Sequence, residues 1–165
     1  MAAGKIPSRT IANLVFSGLI LLLLKPAIPT ATTYLFTKSY VMDDLKPVLS
    51  FMQENSQEND MAYLYHSAGG TYTYYAPYYD LENMAVINGQ DYSKNAKRYN
   101  KELSSLPRGQ RIWFVFSFVG KAKVSKGVRQ DEREYILNFL KQNGSLLQEF
   151  YSTNNASSAH LFILR

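Results

Sequence analysis

His66-Ser67-Ala68-Gly69-Gly70 joins a strand-like run to a helix-like run, setting an imidazole and a hydroxyl ahead of two glycines. Backbone N–H groups at such a junction can hold an anion, and glycine lets a ligand approach the chain closely. Ligands of open α/β sheets collect at the carboxyl ends of strands. The expected ligand site is therefore His66, Ser67, Gly69 and Gly70, with Tyr72 and Tyr75 beside them. The pattern is neither a dinucleotide fingerprint nor a phosphate loop, and a tight turn without a ligand explains the same residues. Seven of the thirteen tyrosines fall within Tyr63–Tyr79. Such rings stack on sugars, pack against isoprenoid chains or sit at a membrane interface, and they also fill sheet faces.

The second group of interest is basic. Lys94, Lys97, Arg98 and Lys101 recur at helical spacing, and Lys121, Lys123, Lys126 and Arg129 follow in a loop-like stretch. Near a bilayer such groups attract anionic headgroups or a lipid-linked phosphate. A solvated face neutralised by the acidic first half is the competing reading.

Other candidates reduce to structure. Asp43 and Asp44 are adjacent and cannot face each other on a helix, so they read as first-turn acids. Asp131, Glu132 and Glu134 form a similar helix-start cluster, and His160 lies in a terminal strand. The absence of cysteine removes disulfides, thiolate metal sites and thiol nucleophiles, and the two histidines give no His-rich cluster. No catalytic residue, metal site or cofactor is assigned.

These groups must be positioned by a chain of 165 residues, enough for one ordinary domain. With 46% hydrophobic and 19% charged residues, long disorder is excluded. The net charge of +5 hides a segregation. Residues 41–91 hold eight acids against Lys46 alone, and residues 92–130 hold ten bases against Glu102 alone. The halves can neutralise each other on folding, so the basic balance does not imply nucleic acid.

Ile11 to Leu24 is uncharged and ends in four leucines. A buried core helix would show a clearer polar face. A secretory signal needs small residues near its cleavage point, where Lys25, Pro26 and Pro29 stand. A transmembrane helix fits better, with Lys25 snorkelling, Ala27, Ile28, Tyr34 and Phe36 extending the apolar length, and Lys5 and Arg9 holding the N-terminus in the cytoplasm. Residues 1–36 are expected to be the cytoplasmic end and membrane helix, and residues 37–165 an extracytoplasmic (periplasmic-side) domain.

Beyond it, Leu45, Val48, Leu49 and Met52 predict a helix with Pro47 in its first turn. Short strands are expected over Met61–His66 and Met84–Ile87, with a brief helix over Thr71–Ala76 between them. Ser93–Leu106 reads as an amphipathic helix burying Ala96, Tyr99, Leu103 and Leu106. Ile112–Phe116, continuing to Val119, is apolar without alternation and predicts a strand covered on both faces. Lys121–Arg129 reads as a basic loop. Asp131–Gln142 predicts a helix with Tyr135, Ile136, Phe139 and Leu140 inward, closed by Gly144 as a C-cap. Leu146–Tyr151 and His160–Leu164 form a final hairpin. The expected fold is α/β, a three-layer, mostly parallel sheet with a C-terminal antiparallel hairpin, preceded by one transmembrane helix.

The run Met42–Tyr65 (MDDLKPVLSFMQENSQENDMAYLY), the stretch Tyr74-Tyr75-Ala76-Pro77 and the strand Arg111-Ile112-Trp113-Phe114-Val115-Phe116-Ser117 together resemble the tail of bacterial, especially cyanobacterial, membrane glycosyltransferases of the GT-C class. These are polyprenol-phosphate-sugar-dependent enzymes similar to protein O-mannosyltransferases. The resemblance covers nearly the whole chain but rests on packing motifs. It implies the last membrane helix and extracytoplasmic C-terminal domain of such an enzyme. The family's catalytic acids belong to a loop within a bundle of many membrane helices, which this chain does not contain, so no catalytic residue carries over. The implied function is an accessory domain, non-catalytic alone. The implied partners are the lipid bilayer, a polyprenyl-phosphate-linked sugar or a membrane glycosyltransferase chain, and no nucleic acid. The alternative is a membrane-anchored structural or protein-interaction module without a small-molecule ligand.

Overall fold

A computed structural model describes residues 45–153 and 155–165, with Asn13, Phe16 and Lys25 as isolated positions before them. The described core lies within the unit Met42–Arg165. Four α-helices are described: α1 (Leu45–Asn55), α2 (Gly69–Tyr75), α3 (Lys97–Ser104) and α4 (Glu132–Asn143). The strands are β1 (Met61–Leu64), β2 (Ala85–Asn88), β3 (Arg111–Ser117), β4 (Lys121–Ser125), β5 (Val128–Asp131), β6 (Gly144–Tyr151) and β7 (Ser157–Leu164). Five of them make one sheet in the order β2-β1-β3-β7-β6, and β4 and β5 pair separately. β1 runs parallel to β2 and β3, while β7 is antiparallel to both β3 and β6. The expected hairpin forms, with its second strand inserted beside β3.

The apolar run in β3 explains the layering. Side chains alternate across a strand. Trp113 and Val115 therefore join Leu45, Leu49, Met52 and Tyr72 from α1 and α2. Ile112, Phe114 and Phe116 join Tyr99, Leu103, Ile136 and Leu140 from α3 and α4. Each fully buried large side chain contributes about 1.5–3 kcal/mol of transfer free energy.

Several local expectations are corrected. β1 stops at Leu64, because α2 begins at Gly69 and includes both glycines in its first turn. β3 ends at Ser117, since Phe118 takes φ 50° and turns the chain outward. α3 starts at Lys97, preceded by turns from Ser93. Lys121–Arg129 forms most of an antiparallel ribbon, whose lysines point to solvent while Ala122 is buried. Gly144 does not cap α4 in a left-handed conformation but opens β6 with extended dihedrals. A Cβ there would lie 2.7 Å from the Ile163 carbonyl oxygen, so the close pairing of β6 and β7 excludes a side chain. Asp43 and Asp44 lie outside the described residues, as does most of the expected membrane segment. Among the described residues no helix is long and apolar enough to cross a membrane.

Candidate functional site

The carboxyl ends of parallel β1, β2 and β3 lie on one side of the sheet, and the loop after each contributes to one cluster. Gly89 N donates to the Leu64 carbonyl at 2.8 Å, drawing the loop after β2 against the end of β1. A Cβ at position 89 would stand 2.4 Å from Tyr63 Oη and 3.0 Å from Leu64 O, so only glycine permits this approach. The loop then presents Asp91, whose Oδ1 accepts from Ser93 N at 2.8 Å.

The β4–β5 ribbon supplies the third side. Lys121 pairs with Asp131, so the ribbon returns the chain to its starting point. Glu132 N donates to Gly120 O at 3.0 Å. Asp131 caps α4 by accepting from Glu134 N at 3.0 Å, which fixes the next residue, Glu132, facing inward.

Glu132 is 1% exposed. Its Oε2 accepts from Tyr65 Oη at 2.9 Å and also from Tyr99 Oη. Tyr65 Oη in turn accepts from Gly120 N at 3.3 Å, and Tyr99 Oη from Tyr92 N at 3.2 Å. Burial, followed by the bond to Glu132, pushes both phenols far above the ordinary tyrosine range, so they remain protonated donors. His66 Nε2 lies 3.9 Å from Glu132 Oε2, and one ligating atom from each of His66, Asp91 and Glu132 falls within 4.8 Å of the others. The Ser93 amide, then its hydroxyl, holds the Asp91 carboxyl below the usual carboxylate range. Two carboxylates, an imidazole and two phenols thus converge where a polyhydroxyl ligand or a cation finds acceptors.

The expected site residues separate. His66 joins the cluster. Ser67 Oγ donates to Ser117 O at 2.5 Å, tying the β1 and β3 loops together. A Cβ on Gly69 would meet Asn88 Oδ1 at 3.2 Å, whereas Gly70 faces open space. Tyr72 is 3% exposed and donates to Leu81 O at 3.3 Å, so it is core. Tyr75 sits beneath Lys46, whose Nζ lies 4.9 Å from its ring. An anion at His66–Gly70 would meet Asp91 and Glu132 there. Lys94, Lys97, Arg98 and Lys101 are all exposed, but Lys94 precedes α3 and the Arg98 guanidinium lies 4.8 Å over the Tyr92 ring.

Sequence reasoning missed Asp91 and Glu132. Glu132 reads as a helix-start acid, and only the ribbon's return to Gly120 reveals its inward direction. A surface depression of about 740 Å³ lies instead at the amino end, lined by Gln53, Asp60, Tyr79 and Asp80. Its buried charged group, Asp60, is taken up by Arg111 and Trp113, so the carboxyl-end cluster is the better chemical candidate.

No protein-family model matches the sequence, and no curated protein matches it. Among solved structures, the crystal structure of the PH0226 protein from Pyrococcus horikoshii OT3 is similar at 9% identity with a TM-score of 0.37, over 73% of this chain and 88% of that one. So distant a likeness defines no function.

Proposed function

We propose that the chain is a membrane-anchored extracytoplasmic accessory domain, similar to the C-terminal part of a lipid-linked-sugar glycosyltransferase, which holds a sugar or its acceptor and catalyses no transfer alone. The three-layer arrangement with a preceding membrane helix belongs to this reading. The observation that carries it is the convergence of Tyr65, His66, Asp91 and Glu132 at the carboxyl ends of β1 and β2. Carboxylates accept hydrogen bonds from sugar hydroxyls, and exposed Asp91 and His66 present such polar partners at the edge of the cluster. Asp60, Arg111 and Trp113, three of the residues on which the resemblance rests, form one bonded unit.

The test uses the full chain purified in detergent. Binding of a polyprenyl-phosphate sugar or a short oligosaccharide, weakened by His66→Ala and Asp91→Asn, supports the reading. Sugar transfer by the chain alone refutes the non-catalytic part. Absence of binding to either ligand favours the interaction-module alternative, to which exposed Tyr74 and Tyr78 are suited.

A further inference from the structure

We propose that His66, Asp91 and Glu132 bind a divalent transition-metal ion at the carboxyl end of the sheet. The starting point is charge. Glu132 is 1% exposed, and among the described residues no lysine or arginine lies within 4 Å of its carboxylate. A buried ionised carboxylate is costly unless an opposite charge accompanies it. Tyr65 and Tyr99 give it hydrogen bonds without charge. A cation seated between Glu132, Asp91 and His66 supplies what is missing.

The donor set narrows the ion. One imidazole, two carboxylates and no thiolate suit Zn²⁺ or Mn²⁺ better than Mg²⁺ or Ca²⁺, which prefer all-oxygen shells. Metal–ligand distances of about 2.0–2.2 Å set neighbouring ligand atoms about 3–4 Å apart. The three atoms already lie within 4.8 Å, and exposed His66 and Asp91 stand on loops that can close the remainder. Glu132 is the fixed point. Ligating carboxylates are themselves held by hydrogen bonds in such sites, as Tyr65 holds Glu132 and Ser93 N holds Asp91. Three protein ligands leave positions open toward solvent for water or a ligand oxygen. The inference stands on the cluster itself and does not require the glycosyltransferase-like reading.

The experiment is calorimetric titration of the full chain, purified in detergent and stripped with chelator, with Zn²⁺, Mn²⁺, Mg²⁺ and Ca²⁺. Expected is one Zn²⁺ or Mn²⁺ per chain with Kd below about 100 μM. His66→Ala and Asp91→Asn should each weaken it more than about tenfold while leaving the thermal transition of the metal-free protein in place. Both residues are exposed, so loss of fold does not confuse the result. Absence of one-to-one binding of Zn²⁺ or Mn²⁺, or affinity unchanged in Asp91→Asn, overturns the site. A chain that fails to bind metal yet binds sugar leaves the accessory-domain reading standing.

Discussion

Arg111 Nε donates to Asp60 Oδ1 at 2.7 Å across the amino end of the sheet. Arg111 Nη2 adds a second bond to Asp60 Oδ2 at 3.1 Å, and Trp113 Nε1 a third to the same oxygen at 2.9 Å. One carboxylate thus fastens the loop after α1 to the first and third residues of β3. The two ends of the sheet divide the labour, with this clamp at one and the Glu132 cluster at the other. Asp60→Ala should cost about 1–3 kcal/mol, because it leaves a buried indole N–H unpaired and the half-buried guanidinium with the Asn55 carbonyl alone. Urea unfolding of the Met42–Arg165 unit checks this, and a loss below about 1 kcal/mol would show the clamp to be incidental.

Gly89 should tolerate no side chain. Gly89→Ala presses a methyl group onto Tyr63 Oη and the Leu64 carbonyl, at an expected cost of about 1–3 kcal/mol. Tyr63→Phe removes the nearest of the clashing atoms and leaves ring Cζ at 2.7 Å, so the relief is partial. The double variant should therefore be more stable than the sum of the single losses, a coupling that a thermodynamic cycle measures. Strict additivity would place the strain elsewhere.

Stability should depend on His160 in acid. Its ring is fully buried, with Nε2 3.0 Å from Ser158 Oγ. Burial, then the fields of Arg133 and Lys141, pushes its pKa from 6.5 down to about 3. Glu149 lies 3.5 Å from Nδ1 but makes no hydrogen bond with it and is half exposed, so it offsets burial only in part. The unfolded chain takes up a proton near pH 6.5 and the folded chain does not until about 3. The contribution is therefore complete above pH 6.5 and is lost as pH falls, by up to about 1.4 kcal/mol per unit. His160→Gln should show a shallower decline of stability between about pH 6 and 4 than the parent. Parallel declines would acquit His160.

Much of this fold is legible in the sequence where periodicity is strong. The unbroken apolar run of β3 announces a strand covered on both faces, and Ala96, Tyr99, Leu103 and Leu106 announce the buried stripe of α3 and its two flanks; all four are buried. The β4–β5 ribbon is illegible because Lys121 and Lys123 are solvated, leaving Ala122 and Val124 too weak a pattern. The site is half legible. His66 is visible because it follows a strand, but Asp91 and Glu132 reach it through a loop closure at Gly89 and a ribbon return at Gly120, and both are tertiary events.

Attraction to anionic bilayers should depend on the basic face of α3. Lys97, Arg98 and Lys101 lie within about two turns, with Lys94 just before them, so their fields add near a surface. Replacing all four by Glu in the Met42–Arg165 unit should abolish co-sedimentation with anionic vesicles at low salt. Raising salt should weaken the parent's binding, since the attraction is screened over about 8 Å at physiological ionic strength. Equal binding by parent and variant would leave this helix a solvated face.

On the reading proposed above, Glu132 is kept buried for a ligand and not for stability. Glu132→Gln tests it most directly, with folding and binding measured on the same sample. A neutral amide retains hydrogen bonding to the tyrosines while removing a buried charge, so the ligand-free variant should be as stable as the parent or more so. Binding of the polyprenyl-phosphate sugar or oligosaccharide should be lost. A variant destabilised by about 2 kcal/mol or more that still binds as the parent does would make Glu132 a structural strut and contradict the claim.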